Sequence, residues 1–424
     1  MMEQWIIKFR NNWDFIIYGI KIRKINPYFL IINLFTLVYS FFQYESFFSE
    51  KNIVLLLFLI FINIIWQIFS TIQDGYYYTK QTGYYISQSN KIATQFKLDP
   101  EVYDKYRLIK IDTLNSSIIY SDTINDILTS DKPIRIKISR KKTNEIDKYI
   151  QTYKEILLPF LNWKWHEIKN HNGSFYNEKK LCMASEIEKH NENEYLVFVN
   201  KGCYYNSFLT NNIYNLKMSH QNGLYIEPPL NSQTYPIQAL HNSYMSNHIG
   251  ISTIAVSSDG YAIIMRHNNK TVVSSDKLLP SGSGSMDFAD LQESQDFREI
   301  IIQAAERELH EETNIDANNI QKTEILGFYR DLNRGGKPEF CCLTYLKPNK
   351  LELREIITPS QSEQRDDFKT IKIFDGKEFL SSAWDNSLQD SPKEYSLALY
   401  MNYFMLCKYF HSTISLYQEE NYPQ

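Results

Sequence analysis

Between Asn52 and Ile72 the chain reads NIVLLLFLIFINIIWQIFSTI, 21 residues without a charge. A run that long and that apolar has few structures open to it. As a helix rising about 1.5 Å per residue it crosses a hydrocarbon layer of about 30 Å with every amide bonded inside the segment. A second run, YFLIINLFTLVYSFFQY from Tyr28 to Tyr44, has 17 uncharged residues and sits at the short end of spanning length. Only Glu45 to Lys51 separate the two, so the spacing predicts a two-helix transmembrane hairpin over 27–72, with spans at about 28–44 and 52–72. A cleaved signal peptide is the competing reading of the first run, but no small-residue cleavage site follows it and a second span does.

Charge sets the expected orientation. Lys8, Arg10, Lys21, Arg23 and Lys24 all precede the first span, whereas the inter-span loop carries only Lys51 beside Glu45 and Glu50. This bias places both termini on the cytoplasmic side of the membrane, with the lipid bilayer as a partner. Tyr76, Tyr77, Tyr78, Tyr84 and Tyr85 follow the second span, where amphipathic rings favour the headgroup layer. Residues 1–26 form a cytoplasmic amphipathic segment, in which Trp5, Phe9, Trp13, Ile16 and Ile20 recur at helical spacing. Two readings of that helix stand open: it lies in the membrane interface, or it packs on the soluble part. Within the spans, Asn33, Thr36, Ser40 and Gln43 fall on one face of the first helix, and Asn63, Gln67 and Ser70 on one face of the second. Such a stripe is hydrogen-bond glue inside one hairpin, or it meets across subunits of a homo-oligomer and lines a water path.

The remainder of the 424 residues has room for more than one domain, and a net charge of -4 gives no sign of a duplex nucleic-acid partner. The five cysteines, Cys182, Cys203, Cys341, Cys342 and Cys407, lack metal or disulfide spacing. Residues 73–246 read as a mixed α/β region. Ile134, Ile136 and Ile138 alternate with Arg135 and Lys137 as a strand with a basic face, extended by Arg140, Lys141 and Lys142. That face meets phosphates, or it is a solvated edge that discourages aggregation. A helix follows, with Ile146, Ile150, Tyr153 and Leu157 on one side, ending before Pro159.

Sharper patterns begin near Ile249 and define a further expected domain over 247–424. GISTIAVSSDGYAIIMRH is two β-rich runs around a Ser-Asp-Gly turn, a hairpin signal. The small residues of Ser281 to Ser285 suit a loop. A helix then opens at Asp296, which caps it while Glu299 bonds back, and Ile301, Ala304 and Ala305 mark its inward face. Further along, AAERELHEETNI crowds four glutamates and an arginine between Glu306 and Glu312. At about 100° per residue, Glu308 and Glu312 fall within roughly 20° of Ile301, and Glu311 lies near Ala304. The carboxylates therefore continue the buried face. Like charges at this spacing destabilise a helix, and a desolvated carboxylate needs a counter-charge. Arg307 neutralises one neighbour; a divalent ion such as Mg²⁺, suited to carboxylates, waters and phosphates, can serve the rest.

These residues carry a resemblance. E-x7-R-E-L-x-E-E, from Glu299 through Arg307, Glu308, Leu309, Glu311 and Glu312, resembles the Nudix box of Mg²⁺-dependent hydrolases that cleave nucleoside diphosphates linked to another moiety. The similarity extends over roughly Ile249 to Cys407 and implies a C-terminal Nudix α/β/α sandwich, so the whole chain reads as α/β behind a membrane hairpin. It also implies metal on Glu308, Glu311 and Glu312, one glutamate helping to activate water, and Arg307 holding a carboxylate. Two glycines of the box are replaced, by Glu293 before the helix and by Asn314 after it. Asn accepts left-handed geometry, and Ser281 to Ser285 is expected to supply the other turn. Glu363, Asp366 and Asp367 are candidates for a further carboxylate.

Two spans ahead of a Nudix-like domain resemble the two-transmembrane Nudix effectors of bacterial cyclic-oligonucleotide antiphage signalling (CBASS) systems. That resemblance implies a soluble domain that senses a cyclic oligonucleotide and a membrane segment that compromises the inner membrane of an infected cell. Two alternatives stand beside it: a membrane-tethered hydrolase of a nucleotide conjugate, and a scaffold whose Nudix fold binds a partner.

Overall fold

The computed structural model describes residues 2–23, 65, 84–85, 96–170, 175–220, 225–267, 277–291, 296–357, 365–382, 384, 386, 394–411 and 418–419. Both expected spans lie outside the described residues apart from Ile65, as do Asn33, Thr36, Ser40, Gln43, Asn63, Gln67 and Ser70 of the polar stripe and Tyr76 to Tyr78. Among the described residues no helix is long and apolar enough to cross a membrane.

The molecule is mixed α/β. Its strands are β1 (Arg107–Ile111), β2 (Ser116–Tyr120), β3 (Ile134–Ile138), β4 (Lys179–Met183), β5 (Glu188–Lys189), β6 (Tyr195–Cys203), β7 (Gly250–Val256), β8 (Tyr261–His267), β9 (Leu278–Leu279), β10 (Gly282–Ser285), β11 (Ile320–Asp331), β12 (Lys337–Leu346), β13 (Arg365–Lys372) and β14 (Gln418–Glu419). The helices that matter here are α1 (Met2–Arg23), α2 (Asp122–Thr129), α3 (Arg140–Thr152), α4 (Lys154–Asn170), α5 (Phe297–Thr313) and α6 (Leu397–Tyr409).

A ten-stranded sheet runs β9-β8-β7-β12-β11-β2-β1-β14, with β10 on β7 and β13 on β8. β7 and β12 are parallel, from Gly250 opposite Glu339 to Val256 opposite Tyr345. The expected hairpin is present: Val256 faces Ala262 across a turn in which Gly260 takes φ +86. β2 pairs with β11, so the sheet draws strands from both sides of the boundary expected at 246/247. The register of β7, in which all seven residues are buried, follows from apolar cover on both faces. α5 packs on one side through Phe297, Ile300, Ile301, Ala304 and Ala305, and α6 packs with Ile254, Cys341 and Leu343 in a second core.

A four-stranded sheet joins β3, β6, β4 and β5, with β3 parallel to β6. The basic edge of β3 is engaged at Arg135, whose Nε lies 2.7 Å from Glu194. The helix expected to end before Pro159 instead breaks at Tyr153, and Pro159 stands inside α4. Burial of Leu157, Leu158, Phe160 and Leu161 around it outweighs the lost amide bond.

α1 packs on the folded α/β body, which was one of its two readings, but not by the face expected. Asn11, Tyr18 and Ile22 are buried, Phe15 stacks on Trp165 at 4.9 Å, and the Tyr18 hydroxyl donates to Asn206 Oδ1 at 2.7 Å. The Asn11 and Asp14 side chains accept the amides of Phe175 and Asn177, each at 2.9 Å. Phe9 and Trp13 point outward and Ile16 is half-buried; the side chains of Trp5 and Ile20 are not among those described. Tyr84 and Tyr85, assigned to a headgroup belt, pair as a short strand with Ser219 and His220.

Candidate functional site

The site is built where α5 crosses β10. Ser281 to Ser285, expected as a loop, contains a strand that pairs antiparallel with β7 from Gly250 opposite Ser285 to Thr253 opposite Gly282. Small side chains left no alternation to read, yet they allow the close approach that the site needs. A Cβ on residue 282 would lie 2.6 Å from the Leu309 amide nitrogen and 2.7 Å from its Cα, and one on residue 284 would fall on the Glu308 carboxylate.

Asp296 caps α5 as expected, accepting the Arg298 amide at 2.9 Å. Glu299 does not bond back, and it stands exposed in the first turn. Arg298 takes its place: its guanidinium holds Asp296 and donates to the carbonyls of Ser130 and Lys132, while Asp296 Oδ2 accepts the Ile134 amide at 2.9 Å. The start of α5 is thus tied to β3. Nine residues separate Glu299 from Glu308, about 14 Å along the axis, so Glu299 does not join the carboxylates at the other end. Asn314 closes the helix in the left-handed region at φ 60, as its chemistry allows.

Arg307 organises the opposite end. Its Nε and Nη2 grip Asp290 at 3.1 and 3.0 Å, Nη2 also donates to the Ser285 carbonyl at 3.2 Å, and Nη1 reaches Glu308 at 2.9 Å and Glu311 at 3.1 Å. Burial pulls the Arg307 pKa down, but the hydrogen bond to Asp290 and the charges of Glu308, Asp290 and Glu311 more than offset this and hold it raised. Glu308, 7% exposed, is pushed up to about 7 by burial and by Glu311, against the opposing pull of Arg307. Glu312 is half-buried and accepts the Ser283 amide at 2.9 Å. Glu311 departs from its expected inward placement, with 54% of its side chain exposed.

The expected trio of metal ligands is therefore not gathered at one point. Among the described residues no three His, Cys, Asp or Glu side chains are grouped to hold a metal. Two of the three, Glu308 and Glu311, already share one cationic nitrogen, and the guanidinium stands in the place of a counter-ion. Their donor chemistry suits Mg²⁺, since all three offer hard oxygens, and glycine at 284 keeps the space beside the Glu308 carboxylate clear. Of the downstream carboxylates, Glu363 lies outside the described residues, and Asp366 and Asp367 belong to β13.

Sequence reasoning missed Asp290, Lys180 and the Gly282–Gly284 contact. The Asp287 amide donates to Asp290 Oδ2 at 2.7 Å, and Asp287 Oδ1 is held by Lys180 Nζ at 2.6 Å. The spacing of Asp287 and Asp290, a capping residue and a carboxylate three positions on, was the readable signal; nothing local points to Lys180, 107 residues away.

No family model matches the chain, and no curated protein does. Solved structures do. The chain is similar to a MutT NUDIX hydrolase from Burkholderia pseudomallei, with 12% identity and a TM-score of 0.25 over 38% of this chain and 97% of that one. It is similar also to a C. elegans Ap4A hydrolase, with 13% identity and a TM-score of 0.24 over 39% and 98%. A NUDIX hydrolase from Nitrosomonas europaea gives 13% identity and a TM-score of 0.25 over 39% and 88%. Overlaps this loose carry no weight beside the side-chain geometry.

Proposed function

We propose that the chain binds a nucleoside diphosphate linked to a second group beside the C-terminal half of α5, and cleaves the diphosphate with the help of Mg²⁺. The observation that carries this reading is the meeting of Glu308 and Glu311 on Arg307 Nη1, with Arg307 itself fixed from outside by Asp290 and the Ser285 carbonyl. Glu308, Glu311 and Glu312 would hold the ion. When bound, it would screen charge on the diphosphate oxygens and acidify an attacking water. Glu308, pushed up to about 7 by burial when no ion is present, would be held ionised by a bound cation, which supplies the counter-charge that its buried setting lacks. Arg307 keeps that carboxylate facing β10, and the glycines of β10 let backbone come close to it.

The second reading is the membrane effector: the same site retains a cyclic oligonucleotide intact, and hairpins of several copies assemble to breach the inner membrane. It is favoured by the engagement of all three glutamates with the chain's own groups, Arg307 and the Ser283 amide, which suits holding more than turnover.

Incubation of the detergent-purified chain with Mg²⁺ and a pool of cyclic oligonucleotides and diphosphate-linked nucleotides, followed by mass spectrometry of what is bound and what is cut, separates the two. Cleavage of a linear diphosphate is expected, with Glu311→Gln slower by two or more powers of ten, the scale for losing a charge-stabilising group. A Glu311→Gln protein that cleaves normally would remove the metal assignment. Retention of an intact cyclic species would favour the effector, for which Asn33→Leu and Gln67→Leu should abolish vesicle leakage while leaving binding intact.

A further inference from the structure

α1 is pinned along one side and exposed along another. Its inner side is held by the buried Asn11, Tyr18 and Ile22 and by the contacts of Asp14 and Phe15. On the outer side Ile6, Phe9, Trp13 and Ile17 are 51, 54, 54 and 48% exposed. At about 100° per residue these four fall within an arc of about 80°, so they form one stripe. The rings of Phe9 and Trp13 stack with centroids 6.2 Å apart and planes 8° from parallel, giving the stripe a flat aromatic centre. Other exposed large hydrophobics among the described residues are spread over different elements, and isolated ones are ordinary on a soluble surface. A continuous stripe is not.

We propose that this stripe lies on a lipid surface, the same one that the uncharged run starting at Tyr28 is expected from its sequence to enter, so that α1 clamps the folded body against the bilayer. Continuity is the first argument: α1 ends at Arg23, and the uncharged run begins five residues later. Its border is the second. Arg10 and Lys21, 49 and 60% exposed at the side chain, flank the stripe while paired with Glu178 at 3.0 Å and Asp147 at 3.3 Å, and Arg23 and Lys24 follow in sequence. Basic groups around an apolar face that includes a tryptophan match the headgroup layer of a bilayer containing anionic lipid. The inner contacts leave α1 no freedom to turn the stripe inward without losing Tyr18 and Ile22 from the core.

The test uses the full chain reconstituted in vesicles of phosphatidylcholine and phosphatidylglycerol, with nitroxide labels on Phe9→Cys, Trp13→Cys and, on the exposed shoulder, Asn12→Cys. The labelled wild type serves as blank for Cys203, the one native cysteine that is not buried. At positions 9 and 13, relaxation by oxygen should exceed relaxation by a water-soluble nickel chelate several-fold, and at position 12 the order should reverse. Chelate-dominated relaxation at all three positions overturns the proposal. So does exclusion of both reagents at 9 and 13, which would mean cover by the chain's own 28–44 run, and so does label-to-label broadening, which would mean a second copy. Because the labelled positions are exposed, the variants keep the inner contacts, and the readout is independent of whether α5 binds or cuts a nucleotide.

Discussion

α5 and α1 are both amphipathic helices, and they break the ordinary pattern in opposite senses. α5 carries Glu308 into contact with the glycines of β10, where water is excluded, and holds it there with Arg307. α1 turns Ile6, Phe9, Trp13 and Ile17 out to solvent and buries Asn11 and the Tyr18 hydroxyl. Each departure opposes stability by itself: a carboxylate out of water and apolar surface left in it. Each is tolerated because the rest of the helix is fixed by independent contacts. Where most of a helix is fixed by independent contacts, the remaining positions are free to serve something besides folding: on α5 at the far end of the buried face, on α1 along the opposite face.

The largest effect that separates the two faces of α1 is expected from a pair of substitutions. Tyr18→Ala should destabilise the protein by about 3–5 kcal/mol, the range for removing a buried ring, with Asn206 Oδ1 left without its donor. Trp13→Ala, an equally large deletion on the exposed stripe, should change detergent-solubilised stability by less than about 0.5 kcal/mol. Denaturant midpoints read both. Equal losses would show that the stripe is packed, and the contrast between the helices would fail.

For α5 the corresponding measurement is pH. Glu308 titrates at about 7 in the folded chain against an ordinary value of 4.5, so between those values the folded protein holds a proton that the unfolded chain has released. Stability is full below about 4.5 and falls as pH rises towards 7. At about 1.4 kcal/mol per tenfold change the loss is at most roughly 3 kcal/mol. Glu308→Gln, which cannot ionise, should flatten that slope and be the more stable protein above pH 7. Parallel pH profiles for wild type and variant would mean that Glu308 is not desolvated as its packing against β10 indicates.

Much of α5 was legible because its signals are local. Helical spacing placed Glu308 and Glu312 on the buried face, the capping signature placed Asp296 at the cap, and the resemblance to the box put Asn314 where left-handed geometry is needed. Glu311 was misplaced because helical angle says which way a residue points and not how far the packing beside it extends, and Glu299 because the cap is tied by Arg298 rather than by a reciprocal capping box. β10 read as a loop because four small residues have no hydrophobic alternation, although they are what allows α5 to come near. β1 and β2 joining the sheet through β11 had no signal at all, since a pairing between Tyr120 and Tyr329 is set by long-range register. On α1 the period was visible, but two apolar faces compete on that helix, and only the acceptor groups at Asn11 and Asp14 decide which one packs. Gly282→Ala sharpens the same point on the α5 side. A methyl group 2.6 Å from a backbone nitrogen has to move a helix, so a loss of about 1–3 kcal/mol is expected.

The smallest effect is the one that says whether the two helices are independent. A line of polar contacts runs between them: Arg10 to Glu178 at 3.0 Å, Glu178 to Lys180 at 3.0 Å, Lys180 to Asp287 at 2.6 Å, the Asp287 amide to Asp290 at 2.7 Å, and Asp290 to Arg307 at 3.0 Å. Its inner links are shielded, with the Lys180 side chain 10% exposed, but its first link lies in water, with Arg10 and Glu178 at 49 and 38%. An exposed pair contributes under about 1 kcal/mol, and a chain of contacts transmits no more than its weakest link allows. Arg10→Ala should therefore lower stability by less than about 1 kcal/mol and leave Mg²⁺ affinity within about twofold of wild type. Lys180→Met, which strips Asp287 of its cation beside the Arg307 anchor, should weaken Mg²⁺ binding more than Arg10→Ala does. A tenfold change on Arg10→Ala would mean that seating α1 and filling the α5 site are one equilibrium, since a tenfold shift is about 1.4 kcal/mol of coupling, more than the exposed pair can supply through its own contact.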